Sequence, residues 1–574
     1  MLKKLLFTVG FVCVASFMVF SQSGTLKGKI SDKSTKEPIP FANIIIALGG
    51  TQVGGATSDF DGNFTIKPIP PGKYDVKATY VGYKGVLMKG LFINSDKITF
   101  QDLEMEPTST TLSEVEVVDY KVPLISKDQT SSGGTVTSEE ISKMPNRSAS
   151  SVASTVGGVF SADGERGSVR GQRSEGTVMY IDGIKVRGST NLPQSSIDQI
   201  SVILGGVPAQ YGDATGGIIN VTTKGPSRTF GAGVDFETSQ FLDNYGHNRI
   251  GLNMNGPLIK KGKGDNATAL LGYFFAGEYN FEKDGNPSGI GIWKVKNSKL
   301  AELKATPLRL GNNGSTSMTA EYLRKTDLEH VKTTQNTNST DISLSGKLDV
   351  KTGPNINLSF GGSFVYDDAK RFSLANSLLN WENNYQVLEN TWRVYGKFTQ
   401  RFPADKDSKS LIKNVYYTVQ ADYTHDHITY QDSRFKDNFF KYGYIGKFER
   451  SRIRSYEMGY DTIAKKTAWK QNNWKDTLIT FTRSETNPVL ANYTEQYFAL
   501  RNNEVTKFQD ISNVQGGLLN GDSPLAVYGI FANVGALQIN PAYQLADNSQ
   551  LGISINGSAD IGNHGLCQEG SQGN

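Results

Sequence analysis

Three side chains in the string DYTHDHIT, His425, Asp426 and His427, are of types that could hold a metal. A zinc site needs three or four nitrogen, oxygen or sulfur ligands converging on one point. The nearby sequence offers no further ligand, so the trio reads as a solvated loop or strand end. Asp59, Asp61 and Asn63 are oxygen donors at alternating positions. A calcium loop of the EF-hand type needs a glycine after the third donor and a glutamate at its end. Here Gly62 precedes Asn63 and no such glutamate follows, which favours a hairpin turn. The run Gly167-Ser168-Val169-Arg170-Gly171 misses the spacing of a nucleophile elbow. Gly217–Lys224 lacks the phosphate-loop spacing and the hydroxyl residue after its lysine. The five histidines and two cysteines leave little else for catalysis. No catalytic residue, cofactor or metal is expected, and the chain is not read as an enzyme.

Glu114-Val115-Glu116-Val117-Val118 offers chemistry of a different kind. A short β-prone segment between polar stretches can add as a strand to a partner's sheet. An ordinary linker strand fits the same residues, and both readings stand open.

The elements that must position these residues follow from composition and periodicity. The chain has 574 residues, 61 of them glycine, with 25 tyrosines and 29 phenylalanines but only 37% hydrophobic residues. That balance suits many short strands and polar turns. The net charge of +4 is spread thinly, so no basic face of the kind nucleic acid needs is expected. Cys13 and Cys567 cannot form a disulfide framework. Bulky Phe11 and Val12 before Cys13 argue against a lipid-modified cysteine. Residues 1–21 have Lys3 and Lys4 ahead of an apolar run too short to span a bilayer, the pattern of a secretory signal peptide.

Residues 22–106 alternate as a β-sandwich does: Tyr74, Val76, Ala78 and Tyr80 against Asp75, Lys77 and Thr79. Residues 107–134 form a polar linker around the Glu114–Val118 segment. Residues 135–226 read as a small mixed α/β domain. Ser138 is expected as the cap of a first helix, and Ser148–Ser154 as a second short helix. Asp182-Gly183 between two apolar runs signals a tight hairpin.

From residue 227 the pattern becomes repeated amphipathic strands. Phe230, Ala232, Val234 and Phe236 oppose Gly233, Asp235 and Glu237; Ile250, Leu252 and Met254 alternate with Gly251, Asn253 and Asn255. The same dyad recurs in Ile342–Val350, Ile356–Tyr366, Trp392–Phe398, Val415–Tyr423 and Leu551–Ile555. Repeated alternation of this kind is the mark of a transmembrane β-barrel. Between His425 and Gly517 it weakens into a charged, aromatic stretch, read as long loops whose aromatics pack within the loops. The fold class is therefore mainly β: a β-sandwich, an α/β domain, then a partial antiparallel transmembrane barrel.

Two resemblances sharpen this reading. GKISDKSTKEPIPFANI, TSDFDGNFTI and PPGKYDVKATYVGY together resemble the carboxypeptidase-regulatory-like domain, which implies a transthyretin-like sandwich of carbohydrate-binding-like fold. SVRGQR, TVMYIDGIKV and SIDQISVILGGVPAQYGDATGGIINVTTK resemble the plug domain of TonB-dependent outer-membrane receptors. The plug positions so marked are Arg170, Gly171, Asp182, Gly183, Gly205, Gly206, Tyr211, Gly212, Gly216 and Gly217.

The second resemblance implies a receptor in the outer membrane of a Gram-negative cell, with its N-terminal domains in the periplasm. It implies energised uptake of a siderophore, glycan or peptide too large for porins. The implied partners are a TonB-type inner-membrane energy-coupling protein gripping Glu114–Val118, outer-membrane lipid, the ligand and a surface lipoprotein. A surface module binding glycan or peptide without transport is the alternative. Barrels of this family have about twenty-two strands. Only roughly a dozen can be picked out by alternation. Alternation is lost after about His564, so a truncated barrel is expected.

Overall fold

The computed structural model describes residues 24–573 apart from several short segments, the longest being 120–131, 403–411 and 523–542. The signal-peptide residues 1–21, Glu114 and Gly212 lie outside the described residues.

The sandwich begins with β1 (Gly24–Asp32), β2 (Asn43–Leu48), β3 (Thr51–Thr57), β4 (Asn63–Ile69), β5 (Gly72–Thr79) and β6 (Gly85–Ile93). Two short strands, β7 (Ile98–Phe100) and β8 (Leu103–Met105), and then β9 (Val115–Asp119) complete it. One sheet has the order β3-β2-β5-β6-β9; β4, β1, β7 and β8 form the other. Tyr74, Val76 and Ala78 are buried while Lys73 and Lys77 are exposed, as period-two alternation requires. The core between the sheets is aliphatic, with Leu26, Ile30, Ile44, Ile46 and Leu91 fully enclosed. The turn before β4 is held by the Asp59 carboxylate, which accepts from the backbone N–H of Asp61 at 3.0 Å and of Asn63 at 2.8 Å. Asp59 thus serves the turn, as the sequence predicts.

The middle domain holds β10 (Ser132–Thr137), helices Ser138–Lys143 and Ala149–Ala153, and the short pair β11 (Val159–Phe160) and β12 (Ser168–Val169). Its larger sheet adds β13 (Thr177–Ile181), β14 (Ile184–Lys185), β15 (Ile197–Gly205) and β16 (Gly217–Thr223), in the order β10-β15-β16-β13-β14. The first helix is capped by Thr137 rather than Ser138. Its neighbour three residues on, Glu140, completes a capping box, which serine at 138 followed by Ile141 could not make. Every residue of β16 is buried, the polar Asn220, Thr222 and Thr223 included, since both sheet faces are covered.

The third part is a wall of nine antiparallel strands: β17 (Gly231–Thr238), β18 (Asn248–Lys261) and β19 (Thr268–Glu282), followed beyond an excursion by six more. That excursion contains β20 (Ile292–Val295), a helix at Asn297–Ala305, β21 (Leu308–Leu310), β22 (Thr316–Met318) and β23 (Leu328–Val331). The wall resumes with β24 (Ser339–Gly353), β25 (Ile356–Lys370), β26 (Gln386–Phe402) and β27 (Ile412–Gln431). A second excursion holds the hairpin β28 (Gly446–Asp461) and β29 (Lys466–Arg483) and the helix Pro488–Leu500. The wall ends with β30 (Tyr543–Ile561) and β31 (Leu566–Gly573).

The described residues hold nine wall strands against the dozen expected, and the stretch read as loops instead contains the hairpin of β28 and β29, which pair with each other outside the wall. β31 lies where alternation is lost; backbone pairing with β30 does not depend on a side-chain pattern. The outward-facing residues are those the alternation selects. Val234, Phe236, Leu252, Phe360, Val394, Leu551 and Ile553 are exposed apolar side chains. The sequence between neighbouring wall strands is short at one rim (residues 262–267, 354–355 and 403–411) and long at the other (283–338 and 432–542), the asymmetry of outer-membrane barrels.

The long excursions share one hydrophobic core, in which Leu303, Leu378, Ile445, Tyr493 and Tyr497 are buried. Phe435 and Tyr442 pack into it as expected. Phe440, Trp469 and Trp474 do not, and stay exposed.

Candidate functional site

The middle domain meets the wall through one loop and one turn. The turn is Asp182-Gly183, where both residues have positive φ (49° and 92°) as a type I′ hairpin demands, and β13 pairs with β14 across it. The Asp182 carboxylate accepts from the Thr223 backbone N–H at 2.9 Å and from the Thr223 hydroxyl. From the wall, the Tyr395 hydroxyl reaches the same carboxylate at 3.2 Å and Lys347 Nζ lies 3.5 Å away. Lys347 also donates to the Thr223 carbonyl at 3.3 Å. Gln420 Nε2 meets the Asp182 carbonyl at 3.5 Å. One carboxylate thus ties its own sheet to strands β24 and β26.

Residues 187–194 cross the inner face of the wall strand by strand. Arg187 Nε donates to Gln550 Oε1 on β30 at 2.6 Å. Gly188 lies so close to Asp426 of β27 that a β-carbon there would sit 2.2 Å from its carboxylate oxygen. The Ser189 N–H meets the Thr391 hydroxyl at 3.4 Å. Asn191 Nδ2 donates to Asp341 of β24 at 3.1 Å, and the Gln194 N–H to Glu278 of β19 at 3.3 Å.

Arg393 of β26 anchors the middle of this path. Its guanidinium is fully buried and donates to the carbonyls of Arg187, at 2.6 Å, and Ser189. Asp426 and Glu389 lie near enough to act on its charge. A second inward arginine, Arg249 of β18, is held by Asp235 at 2.5 Å, Glu278 at 3.1 Å and Glu237 at 3.4 Å. Buried charges need such partners.

Of the plug positions marked by the sequence, Asp182 and Gly183 form the turn at this interface, and the other described ones fall around it. Arg170 and Gly171 have positive φ, and Arg170 Nη2 donates to Ser132 at 2.6 Å. Gly205 ends β15 beside the Arg170 guanidinium, and Gly206 follows with positive φ. Tyr211 is buried edge-on against Tyr180, with ring centres 5.1 Å apart. Gly216 precedes β16 and Gly217 opens it. A β-carbon at Gly217 would lie 2.7 Å from Val169 and 2.8 Å from the Ile203 carbonyl. Gly217→Ala should therefore destabilise the domain by about 1–3 kcal/mol through overpacking. Thermal denaturation of the variant checks this, and an unchanged melting temperature would remove the close-approach reading.

Sequence reasoning missed Lys347, Tyr395 and Arg393. The usable signal was a charged or hydroxyl residue at an inward position of an alternating strand, as in Thr391-Trp392-Arg393-Val394-Tyr395.

The segment Val115–Asp119 is not a free strand. It pairs in parallel with Gly85–Lys89 of β6 and forms the outer edge of the sandwich sheet. A parallel partner supplied by the same chain satisfies one side of its backbone and leaves the other side as an edge. The sandwich in turn touches the rest of the molecule at the short-turn rim. Arg401 Nη1 of β26 donates to the Val53 carbonyl at 2.8 Å, and Gln199 Nε2 meets the Ile93 carbonyl at 3.5 Å. Asp198, next to this contact, has its carboxyl raised above the ordinary range by burial.

The histidine string divides between the two faces of the wall. Asp426 points inward and accepts from the Thr391 hydroxyl at 2.7 Å, while His425 and His427 face outward.

Residues 26–117 match the CarboxypepD_reg-like domain, and residues 126–218 match the TonB-dependent Receptor Plug Domain. The probable TonB-dependent siderophore receptor PirA of Acinetobacter baumannii is 32% identical over 175 residues, which is 25% of this chain and 22% of that protein. The TonB-dependent transporter Oar of Myxococcus xanthus is 23% identical over 252 residues, 40% of this chain and 23% of its own. The chain thus spans less than a quarter of the length of these curated relatives. Among solved structures, a mutant ferric enterobactin receptor of Pseudomonas aeruginosa in complex with enterobactin aligns over 55% of this chain and 53% of its own, at 15% identity and a TM-score of 0.31. The siderophore receptor PirA of Pseudomonas aeruginosa covers 61% and 58%, at 15% identity and a TM-score of 0.29. Likenesses of that strength carry none of the reasoning that follows.

Proposed function

This chain joins a CarboxypepD_reg-like domain to the plug domain of TonB-dependent receptors, and from that premise we propose that it serves energised uptake across a Gram-negative outer membrane. The supporting observation is the inner-face path of residues 187–194, which fastens the plug to four wall strands, β19, β24, β26 and β30, by hydrogen bonds and passes close against β27. Such contacts can be exchanged for water when the plug moves, whereas an apolar seal would resist parting. In this reading the nine-stranded wall is part of the lipid-embedded barrel. The sandwich lies on the periplasmic side, below the short turns.

The solute is of the siderophore, glycan or peptide class, and enters from the side of the long excursions. An inner-membrane TonB-type protein pairs with Val115–Val118 along the edge left open by β6, or takes the place of β6. A surface lipoprotein is a further partner of the exposed excursions.

The test has two parts. Fractionation of cells expressing the full-length gene product should place the protein in the outer membrane with heat-modifiable migration. Deleting Glu114–Val118 should then abolish growth on the transported solute while leaving solute binding at the cell surface intact. A protein that stays soluble after removal of its signal would sink the receptor reading. Uptake unaffected by the deletion would sink the coupling-segment assignment.

A further inference from the structure

We propose that His425, His427 and Asp547 form a binding site for a divalent transition metal of the zinc type on the outer face of the wall. The two histidines are two residues apart on β27 and share one face, and β30 brings Asp547 directly opposite His427. His425 Nε2 is 3.5 Å from Asp547 Oδ1, and His427 Nδ1 is 3.7 Å from Asp547 Oδ2. One ligand atom from each residue lies within 4.8 Å of the others. A tetrahedral zinc with bonds of about 2.0–2.2 Å has ligand–ligand edges of about 3.3–3.6 Å. The three donors, spread over as much as 4.8 Å, would close by up to about 1.5 Å to bind one ion. Water or an anion would complete the shell.

Two neighbours prepare the site. The Thr429 hydroxyl lies 3.3 Å from His427 Nε2, which leaves Nδ1 as the ring atom turned to Asp547. The Trp392 ring packs 5.9 Å from the His425 ring and limits its rotation. Supports of this kind fix ligand orientation and tighten metal binding. Both ligand-bearing elements are long paired strands, so the donors sit on a rigid frame.

The position gives the ion a role. β27 is where the chain leaves the wall for the excursion 432–542, and β30 is where it returns. An ion bridging His427 to Asp547 ties exit to return, at the mouth of the longest excursion. It would stabilise the closed joint in proportion to its occupancy. The site does not depend on the transport reading and would exist in a protein that only binds ligands.

The experiment titrates the full-length protein, free of any polyhistidine tag, with cobalt(II) alone and then with zinc(II). The expected result is one tightly bound cobalt per chain with the intense visible absorption of a tetrahedral centre, displaced by zinc. His427→Gln and Asp547→Asn should each abolish that spectrum. Thr429→Val should weaken binding by roughly tenfold. His247→Ala, His330→Ala and His564→Ala should leave the spectrum intact. Heat-modifiable migration equal to wild type shows that each variant folds. A cobalt spectrum that never becomes tetrahedral, or one that survives both His427→Gln and Asp547→Asn, overturns the proposal.

Discussion

Arg393→Ala is expected to loosen the plug from the wall, with hydrogen exchange of residues 187–194 accelerated about a hundredfold. Among the described residues the side chain is the largest one fully enclosed, and its charge is shielded from solvent. Removing it strips donors from the carbonyls of Arg187 and Ser189. It also leaves Asp426 and Glu389 facing each other without a cation. Two hydrogen bonds from a charged guanidinium contribute about 3–6 kcal/mol together. Asp426 keeps the Thr391 hydroxyl and a long contact from Asn548 at 3.4 Å, so the lower end of that range applies. About 3 kcal/mol is slightly more than a hundredfold in a local opening equilibrium. Arg393→Lys should recover part of the protection, since an ammonium restores the charge but not the fork of donors. Exchange at 187–194 that matches wild type in Arg393→Ala would show that the wall contact contributes nothing to plug seating.

Asp182→Ala comes second, at about 3 kcal/mol, and its effect has two separable sources. The carboxylate carries bonds from Thr223 and Tyr395 and the Lys347 charge, and little of it reaches solvent. Lys347 retains the Thr223 carbonyl, which limits the loss. The backbone is the other source, because Asp182 has a φ of 49°. Alanine pays roughly 1–2 kcal/mol in that region, which asparagine and glycine avoid. Melting temperatures should thus fall in the order wild type, Asn, Gly, Ala. Equal losses for Asn and Ala would mean that the charge dominates. Equal stability of Gly and wild type would mean that the backbone does.

Much of this architecture could be read before any coordinates. Period-two alternation located β17, β18, β24, β25, β26, β27 and β30, because a sheet with lipid on one side and polar lumen on the other writes its geometry into every second residue. The Asp182-Gly183 hairpin was legible because few residue pairs accept two positive φ values in succession. The interface was less legible, since contact across 206 residues, as between Arg393 and Arg187, leaves no local mark. Lys347 and Arg393 look like any other inward polar residue of an alternating strand. The pairing of Val115–Asp119 with β6 escaped for a similar reason: an apolar strand sequence does not say which edge it will choose. His425 and His427 lacked a third ligand in their own neighbourhood because Asp547 reaches them only through strand register.

The order of strands in the plug sheet has a mechanical meaning. β10 follows directly from the linker after β9 and borders a single neighbour, β15, through a ladder of six residue pairs. A tug delivered from the N-terminal side therefore arrives first at an outermost strand. That strand can peel away rung by rung, while the β15–β16 ladder, the Asp182 turn and the 187–194 path keep their bonds. The plug is arranged like a page with a free corner: the load falls on the margin, and the binding along the wall holds until that margin has lifted.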